Sequence, residues 1–188
     1  MNQNKRISTK KIVLVALLAA LTVVGSGLRI KVPASITGTS AFHLGNILCA
    51  LSGILLGPWW GGLAAGLGSA IYDMFDPIYI TECWLTFLMK GAYGVAAGLV
   101  AHSGKKTWAY GKAALASAAG ALVYALLYLG KNYVKGLWIQ GLAPAAAMVG
   151  VVERLPATIF NAVVAVLFAP ILAVAIRTAL KRNHLSLD

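Results

Sequence analysis

The sequence predicts an all-α integral membrane protein: a compact bundle of six transmembrane helices, both termini cytoplasmic, forming one domain over residues 1–188. Three observations predict it. The chain is 60% hydrophobic and 11% charged, with mean hydropathy +0.80. Soluble domains carry about 25% charged residues, so this chain lacks the polar groups to cover a water-facing surface. Small residues recur through Ala41–Phe75, at Gly45, Ser52, Gly53, Gly57, Gly61, Gly62, Gly66, Gly68 and Ser69. In lipid, where little hydrophobic force joins helices, small residues let backbones approach closely. Finally, the charges flank apolar runs instead of forming one face. The net charge of +11 therefore reads as membrane orientation and not as a nucleic-acid surface.

Helix 1 is expected over about 10–28. Ser8 and Thr9 are its caps, and Ala16 and Ala20 lie on one face. The basic start resembles a signal peptide, but Gly25–Leu28 lacks a convincing small-residue cleavage site and further apolar runs follow, so it reads as a span. Arg29–Ser40 reads as a loop because of Pro33, Gly38 and its Ser/Thr residues. It is long for a connector, which leaves a lid and plain surface as two readings. Helices 2 and 3 are expected over about 41–56 and 61–75, joined by a tight Gly-Pro-Trp-Trp-Gly turn with its tryptophans at headgroup level. Gly62 and Gly66 have the i, i+4 spacing that lets two backbones touch.

Asp73–Cys83 carries Asp76 and Glu82 as well as Asp73, with no Lys or Arg. Helix 4 follows over about 84–101 and helix 5 over about 112–129. The stretch 136–152 has no formal charge but contains Gln140, Pro144 and three glycines, and reads as a loop with a short helix. Helix 6 spans about 156–180, with Pro170 expected to kink it.

Charge placement selects six spans over seven. With six, one side collects Lys5, Arg6, Lys10, Lys11, Lys105, Lys106, Lys112, Arg177, Lys181 and Arg182, ten of the sixteen basic residues. A seventh span would move the last three outside, against the positive-inside rule. The polar residues near membrane depth then fall in the outer half, which predicts an outward pocket above an apolar inner half. Candidate substrate-binding residues are Lys31, Thr39, His43, Asn46, Asp73, Glu82, Trp84, Lys90, Tyr93, Tyr128, Asn132 and Asn161.

Each candidate also has a plainer reading. Lys90 is expensive in lipid and faces the bundle or a wet cavity; it either meets ligand or pairs with Asp73 or Glu82. Asn161 either meets ligand or hydrogen-bonds between helices. His43 either binds or caps a helix. Tyr124 and Tyr128 are site residues or interface anchors. Arg29 and Lys31 also suit headgroups. The cysteines, Cys49 and Cys83, lie in apolar surroundings without metal-ligand spacing and read as buried thiols. No metal or cofactor is expected.

Enzyme signatures are not visible. The pair Asp73 and Asp76 is followed by Pro77, where metal-dependent lipid transferases need a glycine and further acids. Gly98–Thr107 has the wrong spacing for a phosphate-binding Gly-x-x-x-x-Gly-Lys-Ser/Thr loop. Energy for uphill transport must then come from a partner or an ion gradient. The alternative is a stand-alone ion-coupled secondary transporter or channel.

Ala16-Leu-Leu-Ala-Ala20, His43-Leu-Gly-Asn46, Leu56-Gly-Pro58, Gly66-Leu-Gly-Ser-Ala-Ile-Tyr-Asp73 and Lys90-Gly91 together resemble the substrate-binding S components of energy-coupling factor (ECF) vitamin transporters. The resemblance covers about 10–180. It implies capture of a small water-soluble vitamin from outside, with riboflavin, a vitamin B6 type compound, a thiamine precursor or a queuosine precursor as candidates. It further implies docking through Ala16 and Ala20 onto a membrane coupling subunit that sits on two cytoplasmic ATPases. The family's site, carried over, points to Lys31–Thr39, Trp84, Lys90, Tyr93, Asn132 and Asn161.

Overall fold

A computed structural model describes residues 9–34, 38–104 and 109–183. Ser8, Lys5, Arg6, Lys105 and Lys106 lie outside the described residues. The elements, in chain order, are α1 (Thr9–Gly27), β1 (Arg29–Ala34), β2 (Gly38–His43), α2 (Gly45–Leu56), α3 (Pro58–Met74), a 3-10 turn (Ile80–Glu82), α4 (Cys83–His102), α5 (Tyr110–Trp138), α6 (Pro144–Val152) and α7 (Leu155–Arg182).

α2 is the centre. Ten of its twelve residues are buried, and α1, α3, α4, α5 and α7 all pack on it. It is about 18 Å long, short of the hydrocarbon thickness of about 30 Å. Among the described residues, four stretches are long and apolar enough to cross a membrane: Thr9–Gly27, Ile80–His102, Tyr110–Trp138 and Pro144–Arg182. Exposed tryptophans mark both ends of the bundle, Trp59 at one and Trp84 and Trp138 at the other, as aromatic belts do at membrane interfaces.

Glycine sets the helix spacing. A methyl group at Gly53 would lie 2.3 Å from the carbonyl oxygen of Gly94, and one at Gly98 would lie 2.5 Å from the Pro58 backbone. Gly62 and Gly66 face α4, their added carbons falling 3.0 Å from Gly91 O and 2.8 Å from Phe87 O. The α3–α4 contact is the most extensive in the bundle, ahead of the α2–α3 pair that the small-residue run suggested. Gly57 joins α2 to α3 alone, at φ 81° and ψ −177°, a conformation that only glycine adopts readily.

The structure corrects several expectations. Arg29–Ser40 is not a loop: Arg29–Ala34 and Gly38–His43 form an antiparallel hairpin with Arg29 opposite His43 and Lys31 opposite Ala41. The all-α reading is amended accordingly. Strand alternation places Arg29, Lys31, Thr39, Ala41 and His43 on one face. Pro33 is tolerated because a strand in a two-stranded sheet always has an open edge. Helix 2 starts at Gly45, since Ala41–His43 belong to β2. Helix 3 starts at Pro58, whose fixed φ suits a first helical turn. α5 runs nine residues past Leu129, through Gly130, to Trp138, because its last turns pack against α6 and pair with Glu82. The short helix expected within 136–152 is α6. α7 continues through the buried Pro170.

Two substitutions separate packing from helix propensity. Gly53→Ala is expected to lower the unfolding midpoint in detergent, at a cost of about 1–3 kcal/mol for overpacking. Gly130→Ala, with nothing within 4 Å, is expected to be neutral or to stabilise α5 by about 0.5–1 kcal/mol.

Candidate functional site

A cavity opens at the end of the bundle where α1, α3 and α5 finish and α2, α4 and α7 begin. It holds about 970 Å³ of empty space, counted out into the open mouth and so including solvent.

Its rim is tied by charge. Arg29 reaches Asp73 at 3.6 Å and Asp76 at 3.8 Å, and Lys31 Nζ lies 2.8 Å from Asp76. The Arg29 guanidinium also lies 4.0 Å from the Tyr72 ring centre, and its Nε donates to Ser26 O at 2.7 Å. These contacts pin the hairpin to the end of α3. Burial pushes the Asp76 carboxyl up, but hydrogen bonds from Lys31 and the Ile78 N–H, with the Lys31 and Arg29 charges, outweigh it and hold Asp76 below the usual carboxylate range. Across the mouth, Glu82 pairs with both Lys131 and Lys135, one turn apart on α5. That link joins the start of α4 to the end of α5.

Asn161 forms a third tie. The His43 N–H donates to Asn161 Oδ1 at 2.9 Å, and Asn161 Nδ2 donates to Ala41 O at 2.8 Å. Both ends of the amide are therefore engaged by β2, clasping the hairpin to α7. Phe42 meets Phe160 edge to face at 5.1 Å beside this clasp. Thr39 Oγ1 and Tyr79 OH lie 3.1 Å apart and share a hydrogen bond.

The floor holds Lys90. Its ammonium donates to Asn46 Oδ1 in the first turn of α2 and sits 3.9 Å from the Tyr124 ring centre. Tyr93, Tyr124 and Tyr128 form a column of near-parallel rings, with centroids 6.0 Å and 5.6 Å apart. Gly120 makes room for it, since a methyl there would meet the Tyr93 ring at 2.3 Å. His43 is half-buried with its Nδ1 out of reach of solvent, and desolvation first, then the Lys90 and Arg29 charges, hold its pKa well below the usual histidine value.

Eight of the twelve sequence candidates line the cavity: Thr39, His43, Asp73, Glu82, Lys90, Tyr128, Asn132 and Asn161. Four do not. Lys31 turns to Asp76 beside the cavity. Asn46 lies under Lys90 and accepts its hydrogen bond. Tyr93 is fully buried behind Tyr124, about one turn deeper along α4. Trp84 is 60% exposed, at the interface belt, because the first turn of α4 presents it outward. Lys90 pairs with neither Asp73 nor Glu82; other cations hold both. Arg29, Lys131, Lys135 and Arg154 also line the cavity and were not among the candidates. The i, i+4 spacing of Lys131 and Lys135, facing an acid-rich segment, was the available signal. Among the described residues, no group of three His, Cys, Asp or Glu side chains is placed to hold a metal ion.

Two outcomes follow from this geometry. Asn161→Ala leaves a part-buried N–H and a carbonyl of β2 without this partner, at a cost of about 1–3 kcal/mol; hydrogen exchange should show lost protection over residues 38–43. For His43, the folded pKa lies below the ordinary value of 6.5. Its stabilising contribution is present above that value and is lost as pH falls and the unfolded chain takes up the proton. The unfolding midpoint should therefore drop between about pH 7.5 and 5.5, and His43→Gln should make the drop shallower.

The sequence profile of the ECF-type riboflavin transporter S components matches residues 6–178. An uncharacterized protein of Pyrococcus woesei is 35% identical over 115 residues, covering 61% of this chain and 72% of the relative. No solved structure matches. The profile runs from before α1 into the last turns of α7, through every segment that builds the cavity, and on that match the chain belongs to the ECF-type riboflavin transporter S component family.

Proposed function

We propose that this protein is the substrate-binding subunit of an ECF-type importer in a prokaryotic plasma membrane. It captures a small water-soluble vitamin or related micronutrient from outside. It then hands the substrate to a membrane coupling subunit driven by two cytoplasmic ATPases. The observation that carries this reading is a polar cavity confined to one end of an apolar bundle in a chain of this family. Riboflavin, a vitamin B6 type compound, a thiamine precursor and a queuosine precursor are the candidate substrates. Tyr128, at the end of the ring column, offers a face to a flat heterocycle, and Lys90, Asn132, Thr39 and His43 offer polar contacts to its edge.

Six spans, α1 to α5 and α7, are proposed, with α6 an outer helix. α2 is too short to cross lipid alone, but the neighbours that surround it keep it from lipid. Lys10, Lys11, Lys112, Arg177, Lys181 and Arg182 lie toward the end opposite the cavity, which supports a cytoplasmic assignment for that end and both termini. Ala16 and Ala20 are exposed on α1, while Val15, Leu18 and Ala19 face the bundle. That smooth strip supports close approach by a helix of the coupling subunit.

Native mass spectrometry of gently purified protein, with release and identification of the bound compound, tests the reading. A vitamin-like compound at one-to-one stoichiometry is expected. An empty protein with no thermal shift across a vitamin panel would overturn it, and ion-driven flux in liposomes would then test the stand-alone transporter. Ala16→Trp is expected to abolish uptake by the assembled transporter while changing the substrate Kd by less than about threefold.

A further inference from the structure

We propose that the ligand presents an anionic group, a carboxylate or a phosphate, to Lys90 at the floor of the cavity. This rests on the reading of the chain as a substrate-binding subunit and names the chemical class of what it binds.

Lys90 is 4% exposed, and its contacts are neutral: the Asn46 amide oxygen and the Tyr124 ring face. No carboxylate of the described residues lies within 4 Å of its Nζ. A buried ammonium is unfavourable unless paired with opposite charge. A lysine kept for structure alone at this depth would stand beside an acid. The acids of this end are close by, yet they are engaged elsewhere: Asp73 by Arg29, Asp76 by Lys31 and Arg29, and Glu82 by Lys131 and Lys135.

The surroundings reinforce the sign. The cavity lining sets five cationic side chains, Arg29, Lys90, Lys131, Lys135 and Arg154, against two carboxylates, Asp73 and Glu82. Asn46 belongs to the first turn of α2, so the ammonium also sits at the positive end of that helix. His43 Nδ1, buried and without a hydrogen-bond partner among the described residues, lies against Gly45 in the same turn. The floor thus combines a buried cation, a helix end of the same sign and an unused polar nitrogen. An anionic substituent on the ligand supplies the missing charge. The aromatic column beside it receives the ring that bears the substituent.

Matched pairs that differ in charge test this by calorimetry on the purified protein: nicotinate against nicotinamide, pantothenate against panthenol, pyridoxal 5′-phosphate against pyridoxal, and flavin mononucleotide against riboflavin. In at least one pair the anionic member is expected to bind about tenfold tighter or more. Whether the winning pair is a carboxylate or a phosphate pair identifies the group. Lys90→Met should reduce the preference to about threefold or less, and Lys90→Arg should retain it. The inference is overturned if the neutral member binds as tightly in every pair that binds, or if Lys90→Met folds and keeps the preference. Should Lys90→Met not fold, the wild-type comparison decides. If no member of any pair binds and native mass spectrometry finds no bound compound, the binding-subunit reading falls and takes this inference with it; a neutral preference, or a bound compound without an anionic group, overturns the inference alone.

Discussion

The structure depends on backbone touching backbone where α2, α3 and α4 meet. Lipid offers no hydrophobic gain for pressing one apolar helix on another, so the helices cohere through close contact and hydrogen bonding. Gly53 against Gly94 and Gly98 against Pro58 leave no space for even a methyl group. This proximity is what brings Asn46 at the start of α2 within reach of Lys90 on α4. It also encloses a twelve-residue helix that could not span lipid unaided. The glycines far along the bundle axis thus decide what the polar end can assemble.

That polar end divides its charges by position. The carboxylates stand at the rim and are spent on holding elements together, the hairpin to α3 through Asp73 and Asp76 and α4 to α5 through Glu82. Asn161 does the same work without charge, clasping β2 to α7. The floor keeps a cation among neutral neighbours. Among the rim pairs, Arg29 meets Asp73 and Asp76 largely out of water, while the Lys31 and Lys135 pairs are part-exposed and more readily screened by salt; the ammonium at depth is the least screened of all. Recognition and mechanical closure are therefore assigned to different groups. The hairpin face carrying Arg29, Thr39, Ala41 and His43 contributes to both.

Much of the cavity lining was visible in the chain, because polar residues in an apolar sequence are few and must gather somewhere. Eight of the candidates do line the cavity. The four that do not line it share a cause: depth and direction around a helix are not written in spacing alone. Trp84 and Lys90 sit on the same helix, but one faces the interface and the other the floor. Tyr93 has the right helix and face but sits behind Tyr124. Lys31 has the right strand and the right face, yet its long side chain ends at Asp76. The hairpin was hidden because Pro33 and Gly38 punctuate a segment whose Arg-Ile-Lys-Val alternation also fits a strand. Gly130 and Lys131 likewise mark a helix end by local preference, which tertiary packing overrode.

The sequence by itself determined the membrane class, the order of the apolar helices, the small residues on which they pack and the polar inventory available to a site. Hydrophobicity and residue volume are local properties, and lipid makes them decisive. Only the tertiary structure decided which acid pairs with which base, that the first connection is a hairpin, and that Lys90 lies at the floor without a carboxylate. Those outcomes turn on distances of a few ångströms between residues 44 to 120 positions apart, and pairing at that range is fixed by how the helices pack, not by any neighbouring stretch of chain.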